Sequence, residues 1–300
     1  MIGWAALAAL VGAPFAKEAM RHPMNDAARR AAPGKIAALS QGKTHIRWMG
    51  AESGPVAVCV HGLTTPSRVW EGLAEALGAR GYRVLAYDHF GRGFSDTVRG
   101  LQDRAFFLTH LKEILAHEGV EDGFTLVGYS MGGAISTAFT AENPSRVGRL
   151  VLLAPAGMGH ELGRVARLTK LPMIGDWLML TLFPRGHRKG TEAERALPSS
   201  VPGIVDYQQN ELTRRGFVPA VLSSLRGILS ERQEADHKAI SGKVPVLAVW
   251  GDVDRTIPLS RRDVLAEWNP NARHAVIEGA GHGLPYTHTK EVIAAFDQAG

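Results

Sequence analysis

The sequence predicts an α/β protein built on a mostly parallel sheet with helices on both faces. Three observations carry that expectation. From Thr44 onward, short apolar runs alternate with helical stretches, the pattern of repeated strand–helix units. Several runs are apolar throughout, as strands covered on both faces are. One long interval, residues 157–241, breaks the rhythm with helical pieces and prolines at 172, 184, 198, 202 and 219 but no convincing strand.

The strand-like runs are Thr44–Met49, Val56–Val60, Arg83–Tyr87, Phe124–Val127, Arg149–Ala154, Val244–Trp250 and Arg273–Ile277. Helical stretches are expected at Val69–Ala79, Ala105–Glu118, Met131–Asn143, Ser260–Glu267 and Thr289–Gln298. The third stops before Pro144, because proline disfavours helical geometry in the residue preceding it. Inside the strandless interval, Val218–Glu231 reads as an amphipathic helix. An insertion of this size between core strands reads as a helical cap that excludes water and shapes a pocket. The competing reading is a separate helical domain with no part in chemistry. The division is therefore 1–40 as an N-terminal apolar segment and linker, 41–156 with 242–300 as the core, and 157–241 as the cap.

The opening stretch, "MIGWAALAALVGAPFA", is uncharged and apolar up to Lys17. It falls short of the roughly 20 apolar residues that span a bilayer. It also lacks the basic start of a signal peptide, although Val11-Gly12-Ala13 resembles a cleavage triplet. A membrane-associating helix, a poor signal peptide and a helix packed on the protein all remain open. The expected location is cytoplasmic, with membrane-surface association through residues 1–16, rather than periplasmic.

The formal charge of +5 is modest and scattered, and the basic patches Arg185–Lys189 and Arg29–Arg30 carry no interleaved aromatics. A nucleic-acid groove is not expected. The single cysteine, Cys59, lies in the apolar run "VAVCVHG" and reads as a buried, inert thiol. The twelve histidines show no metal-ligand spacing, so neither metal nor other cofactor is expected.

Chemistry concentrates in three short segments. Gly128-Tyr129-Ser130-Met131-Gly132 is a G-x-S-x-G pattern between a strand and a helix. In a nucleophile elbow this spacing lifts the serine hydroxyl clear of the sheet, and glycines allow the tight backbone path. A plain turn whose serine caps the helix is the bland alternative. A serine needs a base to take its proton, and the base needs a carboxylate to orient it. "VLAVWGDVDRTIP" places Asp252 and Asp254 just past one strand, and "VIEGAGHGLPY" places His282 past the next. Either aspartate could serve only as a turn residue, and His282 only as a loop histidine.

Taken in order, "HG" at 61–62, "DHFGRGFSD" at 88–96, "GYSMGG" at 128–133, "WGDVD" at 250–254 and "GAGH" at 279–282 resemble the α/β-hydrolase superfamily over about Thr44–Phe296. The likeness is to its capped branch of bacterial serine esterases, monoacylglycerol-lipase-like enzymes and ring-cleavage-product hydrolases. The resemblance implies an α/β-hydrolase fold with an inserted helical cap. It implies Ser130 as nucleophile, His282 as base and Asp254 as the acid, with Asp252 in reserve. It also implies an oxyanion hole from the backbone N–H groups of Leu63 and Met131, and a mainly structural His61. The "DHFGRGFSD" loop is expected to scaffold the site, with Arg92 and Ser95 weighed as substrate contacts against simple loop hydrogen bonds.

Dehalogenase and epoxide-hydrolase relatives use an aspartate nucleophile, whereas position 130 is serine. Ring-cleavage hydrolases usually follow the catalytic histidine with tryptophan, and here Gly283 follows His282. The expected function is hydrolysis of small or lipid-like carboxylic esters through an acyl-enzyme, the substrate carrying an apolar acyl group. Trp177, Leu178, Phe183 and Phe217 are candidate pocket lining, or else cap core. The alternatives are a carbon–carbon bond hydrolase of ring-cleavage products and a non-catalytic binding protein that kept the fold.

Overall fold

The computed structural model describes residues 2–159 and 168–299. Eight strands form one sheet: β1 (Lys35–Leu39), β2 (Gly42–Gly50), β3 (Val56–Val60), β4 (Arg83–Tyr87), β5 (Phe124–Tyr129), β6 (Val147–Leu153), β7 (Val246–Gly251) and β8 (Arg273–Ile277). Their spatial order is β1-β2-β4-β3-β5-β6-β7-β8. β2 runs antiparallel to both β1 and β4, and from β4 to β8 every pairing is parallel.

Successive strand residues point to opposite faces, and here both faces are apolar. Val58, Val60, Leu85, Leu126, Leu150, Leu152 and Ala248 join one buried cluster, while Ala57, Cys59, Val84, Val127, Val151, Leu153 and Val249 join the other. That is why these strands read as continuous apolar runs. The helices, in chain order, begin with α1 (Ile2–Ala19), α2 (Asp26–Arg29), α3 (Glu71–Gly78), α4 (Arg104–His117) and α5 (Met131–Glu142). Beyond β6 come α6 (Ile174–Glu192), α7 (Ile204–Asn210), α8 (Phe217–Arg226) and α9 (Glu234–Ile240). After β7 follow α10 (Ser260–Trp268), α11 (Leu284–Thr287) and α12 (Thr289–Gln298). α4, α5 and α10 cover the first face through Leu111, Ile135, Phe139 and Trp268. α3 and α12 cover the second through Leu73, Leu77, Val292 and Phe296.

Besides the short helices α2 and α11, which were not expected, two departures from the sequence reading have a clear cause. β1 was not expected, since it falls in the span read as a linker. Only Ala37 of its five residues is buried, so it carries no apolar alternation, and its pairing across the turn to Gly42 defines it. The helix expected over Val218–Glu231 ends at Arg226. A Cβ on Gly227 would stand 2.1 Å from the Gln102 carbonyl oxygen, so the chain is pinned there by a distant segment.

Between β6 and β7 the described residues form helices, turns and a single isolated bridge from Arg214 to His22, with no strand; residues 160–167 of the expected cap lie outside the description. α6 and α8 share a small core of Met179, Leu212, Phe217, Val218, Val221 and Leu222, with Leu63 and Phe183 packed against it. Phe217 is therefore sealed within the insertion's own packing. The Trp177 indole donates to the Leu10 carbonyl at 3.2 Å, tying α6 to α1. At its far end, the Glu18 carboxylate accepts the Gly216 N–H at 2.6 Å. No described helix is long and apolar enough to cross a membrane.

Candidate active site

Ser130 stands where β5 gives way to α5, with φ 53° and ψ −117°. This positive-φ conformation is strained for a residue with a side chain, by about 1–3 kcal/mol. The surroundings impose it. The Ser130 N–H donates to Leu153 of β6 at 3.0 Å, and its carbonyl accepts from Gly133 at 2.9 Å and Ala156 at 3.0 Å. A Cβ on Gly128 would lie 2.5 Å from the Gly132 oxygen, and one on Gly132 would lie 1.9 Å from the Val60 oxygen. Only glycine lets strand and helix approach so closely.

The loops after β7 and β8 bring two side chains to this serine. His282 Nε2 lies 3.0 Å from Ser130 Oγ, and His282 Nδ1 lies 2.8 Å from Asp254 Oδ2. A carboxylate only accepts, so Nδ1 carries the proton and Nε2 faces the serine hydroxyl as acceptor. The other oxygen of Asp254 accepts the N–H groups of Thr256 at 2.7 Å and Ile257 at 2.9 Å. This buried anion is thus satisfied on both oxygens. Asp252, the reserve acid, is exposed and does not share in this contact. Tyr129, to which sequence reasoning gave no role, donates its hydroxyl to the His282 carbonyl at 3.0 Å. Its ring stands 5.2 Å from the imidazole, so the elbow itself helps to hold His282.

Leu63 follows His61 and Gly62 in the loop after β3. A Cβ on Gly62 would lie 3.3 Å from the Ser130 Cβ, which brings this loop against the elbow. The His89 N–H donates to His61 Nε2 at 2.9 Å, so His61 Nδ1 is the protonated nitrogen and donates to the Gly62 carbonyl at 2.7 Å. The Gly62 carbonyl and the Leu63 N–H are opposite ends of one planar peptide. Holding the first therefore aims the second. Neither the Leu63 nor the Met131 amide donates to another group among the described residues.

The "DHFGRGFSD" loop is fastened by its own polar atoms. Asp88 accepts from His45 Nδ1 at 2.6 Å and from the N–H groups of Ser67 at 2.7 Å and Phe94 at 2.8 Å. The Ser95 hydroxyl donates to the Asp88 carbonyl at 2.6 Å and accepts from the His45 N–H at 3.0 Å. Ser95 and Arg92 are both fully buried. Ser95 serves the loop's own hydrogen bonds, whereas Arg92 bonds to Phe90 within the loop and also reaches Leu63, Gln102 and α8. Burial also pushes the Cys59 thiol up, well out of the range of a reactive thiolate.

Burial holds several histidines neutral. It pulls His61 down to about 4, His110 down to about 3 and His237 down to about 4, and His89 well below its usual value. His45 is opposed by burial but raised overall by its bond to Asp88, whose own carboxyl is held low by His45 against the same burial. In the unfolded chain these histidines titrate near 6.5 (roughly). Between about pH 6.5 and 4 the unfolded state therefore binds more protons at the four lowered groups, and each removes up to about 1.4 kcal/mol per pH unit as the pH falls. His45 adds no slope in this window, because the stabilisation from its bond to Asp88 is gained above it, as the pH falls from the raised value toward about 6.5. Asp88 stabilises throughout this window, since its contribution is lost only as pH falls from about 4 toward its lowered value. The urea midpoint is expected to drop steadily from about pH 6.5 to pH 5; an unchanged midpoint would contradict the neutral, buried state of these rings.

A profile described as "alpha/beta hydrolase fold" matches residues 55–289. The chain belongs to the α/β hydrolase fold family. As a hydrolase it is 30% identical over 243 residues to 2-hydroxy-6-oxononadienedioate/2-hydroxy-6-oxononatrienedioate hydrolase 1 of Dechloromonas aromatica, covering 77% of this chain and 81% of that one. The bromoperoxidase of Bacillus anthracis superposes with a TM-score of 0.74 at 22% identity, over 89% of this hydrolase and 99% of that chain. An esterase from Exiguobacterium antarcticum also gives 0.74, at 19% identity, with the same 89% and 99% covered. These two likenesses speak for the fold.

Proposed function

We propose that this α/β hydrolase cleaves carboxylic esters through an acyl-enzyme on Ser130. The observation that carries the reading is the chain of contacts from Asp254 through His282 to the Ser130 hydroxyl, at 2.8 Å and 3.0 Å. His282 takes the serine proton as Oγ attacks the ester carbonyl, and the Leu63 and Met131 amides receive the developing oxyanion. The imidazolium, steadied by Asp254, then protonates the departing alcohol. Water enters, gives its proton to His282 and attacks the acyl carbonyl. The acid leaves and Ser130 regains its proton. The insertion between β6 and β7 acts as a cap over this centre and supplies an apolar acyl pocket.

A second reading, carbon–carbon bond cleavage of a ring-cleavage product, is favoured by the likeness to the Dechloromonas enzyme. Local packing at the base supports the ester reading over it. A Cβ on Gly283 would stand 2.6 Å from the buried Tyr286 ring, whose hydroxyl is fixed on Glu194 at 2.6 Å, so the tryptophan of the resembling enzymes has no room here. We also place the stretch within residues 1–16 at a lipid surface, on the strength of exposed Trp4, Leu10, Val11 and Phe15.

The deciding experiment offers the enzyme p-nitrophenyl esters from acetate to palmitate and, separately, a 2-hydroxy-6-oxo-dienoate. Turnover of esters with a chain-length optimum supports the reading. Turnover of the dienoate alone moves the assignment to carbon–carbon cleavage, and failure of Ser130 to react with a fluorophosphonate would leave a binding protein.

A further inference from the structure

We propose that Arg92 is a positioning residue that couples the seating of α8 to the aim of the Leu63 amide; this rests on the ester reading above. Arg92 is 0% exposed, and its guanidinium reaches three separate segments. Nε donates to the Leu63 carbonyl at 3.1 Å. Nη1 donates to the Phe90 carbonyl at 2.9 Å and to Gln102 Oε1 at 2.5 Å. Nη2 donates to the Ala220 carbonyl at 3.2 Å and to Ser224 Oγ at 2.8 Å, both on α8.

All five acceptors are neutral. A buried charge with no carboxylate in contact is an expensive way to fill space, and an apolar side chain would fill it at lower cost. What only a guanidinium supplies is a rigid fork of donors with fixed directions. One prong of that fork ends on the residue whose N–H faces the proposed oxyanion, and another ends on the insertion.

Leu63 is thereby held at three points. His61 fixes the peptide that carries its N–H, Arg92 fixes its carbonyl, and its side chain packs against the insertion's core of Met179, Phe217 and Val221. The second and third holds both depend on α8 being seated. The loop and the helix are also in close contact, since a Cβ on Gly91 would meet the Ala220 Cβ at 2.4 Å. Lifting α8 strips Arg92 of two acceptors and frees the Leu63 carbonyl together with its side chain. With α8 lifted only the His61 hold on the preceding peptide remains, so the donor is fully fixed only when the insertion is closed down on the core.

The test compares Arg92→Met and Ser224→Ala with wild type in the full chain, using p-nitrophenyl butyrate and an alkyl trifluoromethyl ketone, which forms a tetrahedral adduct with the serine. Loss of an oxyanion donor outright costs about 10²–10³-fold in kcat. Misaiming it is expected to cost about 10–100-fold in Arg92→Met, with KM within about two-fold and ketone affinity falling by the same factor as kcat. Ser224→Ala, which removes one of the two α8 acceptors of Nη2, should show the same pattern at about three- to ten-fold. A role in packing alone would not tie kcat to ketone affinity. Folded variants with wild-type kcat, or a loss carried entirely by KM, overturn the proposal. If Arg92→Met does not fold, Ser224→Ala decides by the same two readouts. An inert wild type would overturn the ester reading and this proposal with it, whereas an active wild type with unaltered variants overturns this proposal alone.

Discussion

Ser130→Ala is expected to lower ester turnover by about 10⁴–10⁶-fold, leaving only what binding and oxyanion donors supply without a nucleophile. The fold should survive. Alanine keeps the Cβ, and the strained backbone at this position is held by main-chain bonds to Leu153, Gly133 and Ala156, none of which involves the hydroxyl. Melting temperature and ester kinetics measured side by side would separate the two effects. A variant that keeps a tenth of wild-type turnover would remove Ser130 from the mechanism.

Asp254→Asn is expected to cost about 10⁴-fold in kcat, and the local hydrogen bonds say why. Oδ1 accepts two backbone N–H groups, from Thr256 and Ile257. In the variant the amide oxygen must take that place, because a second donor there would leave both N–H groups unanswered. The amide nitrogen then faces His282 Nδ1 and forces it to accept. The ring proton moves to Nε2, the nitrogen 3.0 Å from Ser130 Oγ, and the base can no longer receive the serine proton. Asp252→Asn, changed two residues away on an exposed side chain, should leave kcat unaltered. Equal losses in the two variants would mean that the acid has been misassigned.

Much of this architecture was legible from residue order alone because the central strands are buried on both sides. A run such as Val56–Val60 has no polar face to confuse with a helix. β1 was not legible for the opposite reason, with a single buried residue and its pairing set by a turn. The end of α8 was equally hidden, because the Gln102 carbonyl that presses on Gly227 lies far away in the chain.

At the candidate site, Ser130, Asp254 and His282 each announce themselves in a short local motif, and the fold brings their side chains within hydrogen-bonding distance. Choosing between Asp252 and Asp254 needed either the family pattern or the geometry. The fork of Arg92 could not have been read from sequence. Its acceptors sit at positions 63, 90, 102, 220 and 224, and no spacing rule connects them. The role of Tyr129 is hidden for the same reason, since its partner is 153 residues away.

The sheet order has a consequence for how function is lost. Ser130 follows β5, which is paired on both sides, whereas His282 follows β8, an edge strand joined to β7 alone. Opening of a structure begins where strands have one neighbour. Under heat or denaturant His282 is therefore expected to be released while Ser130 still stands on intact core, so that turnover by the proposed mechanism is lost ahead of the cooperative melt. An enzyme of this plan goes silent before it comes apart.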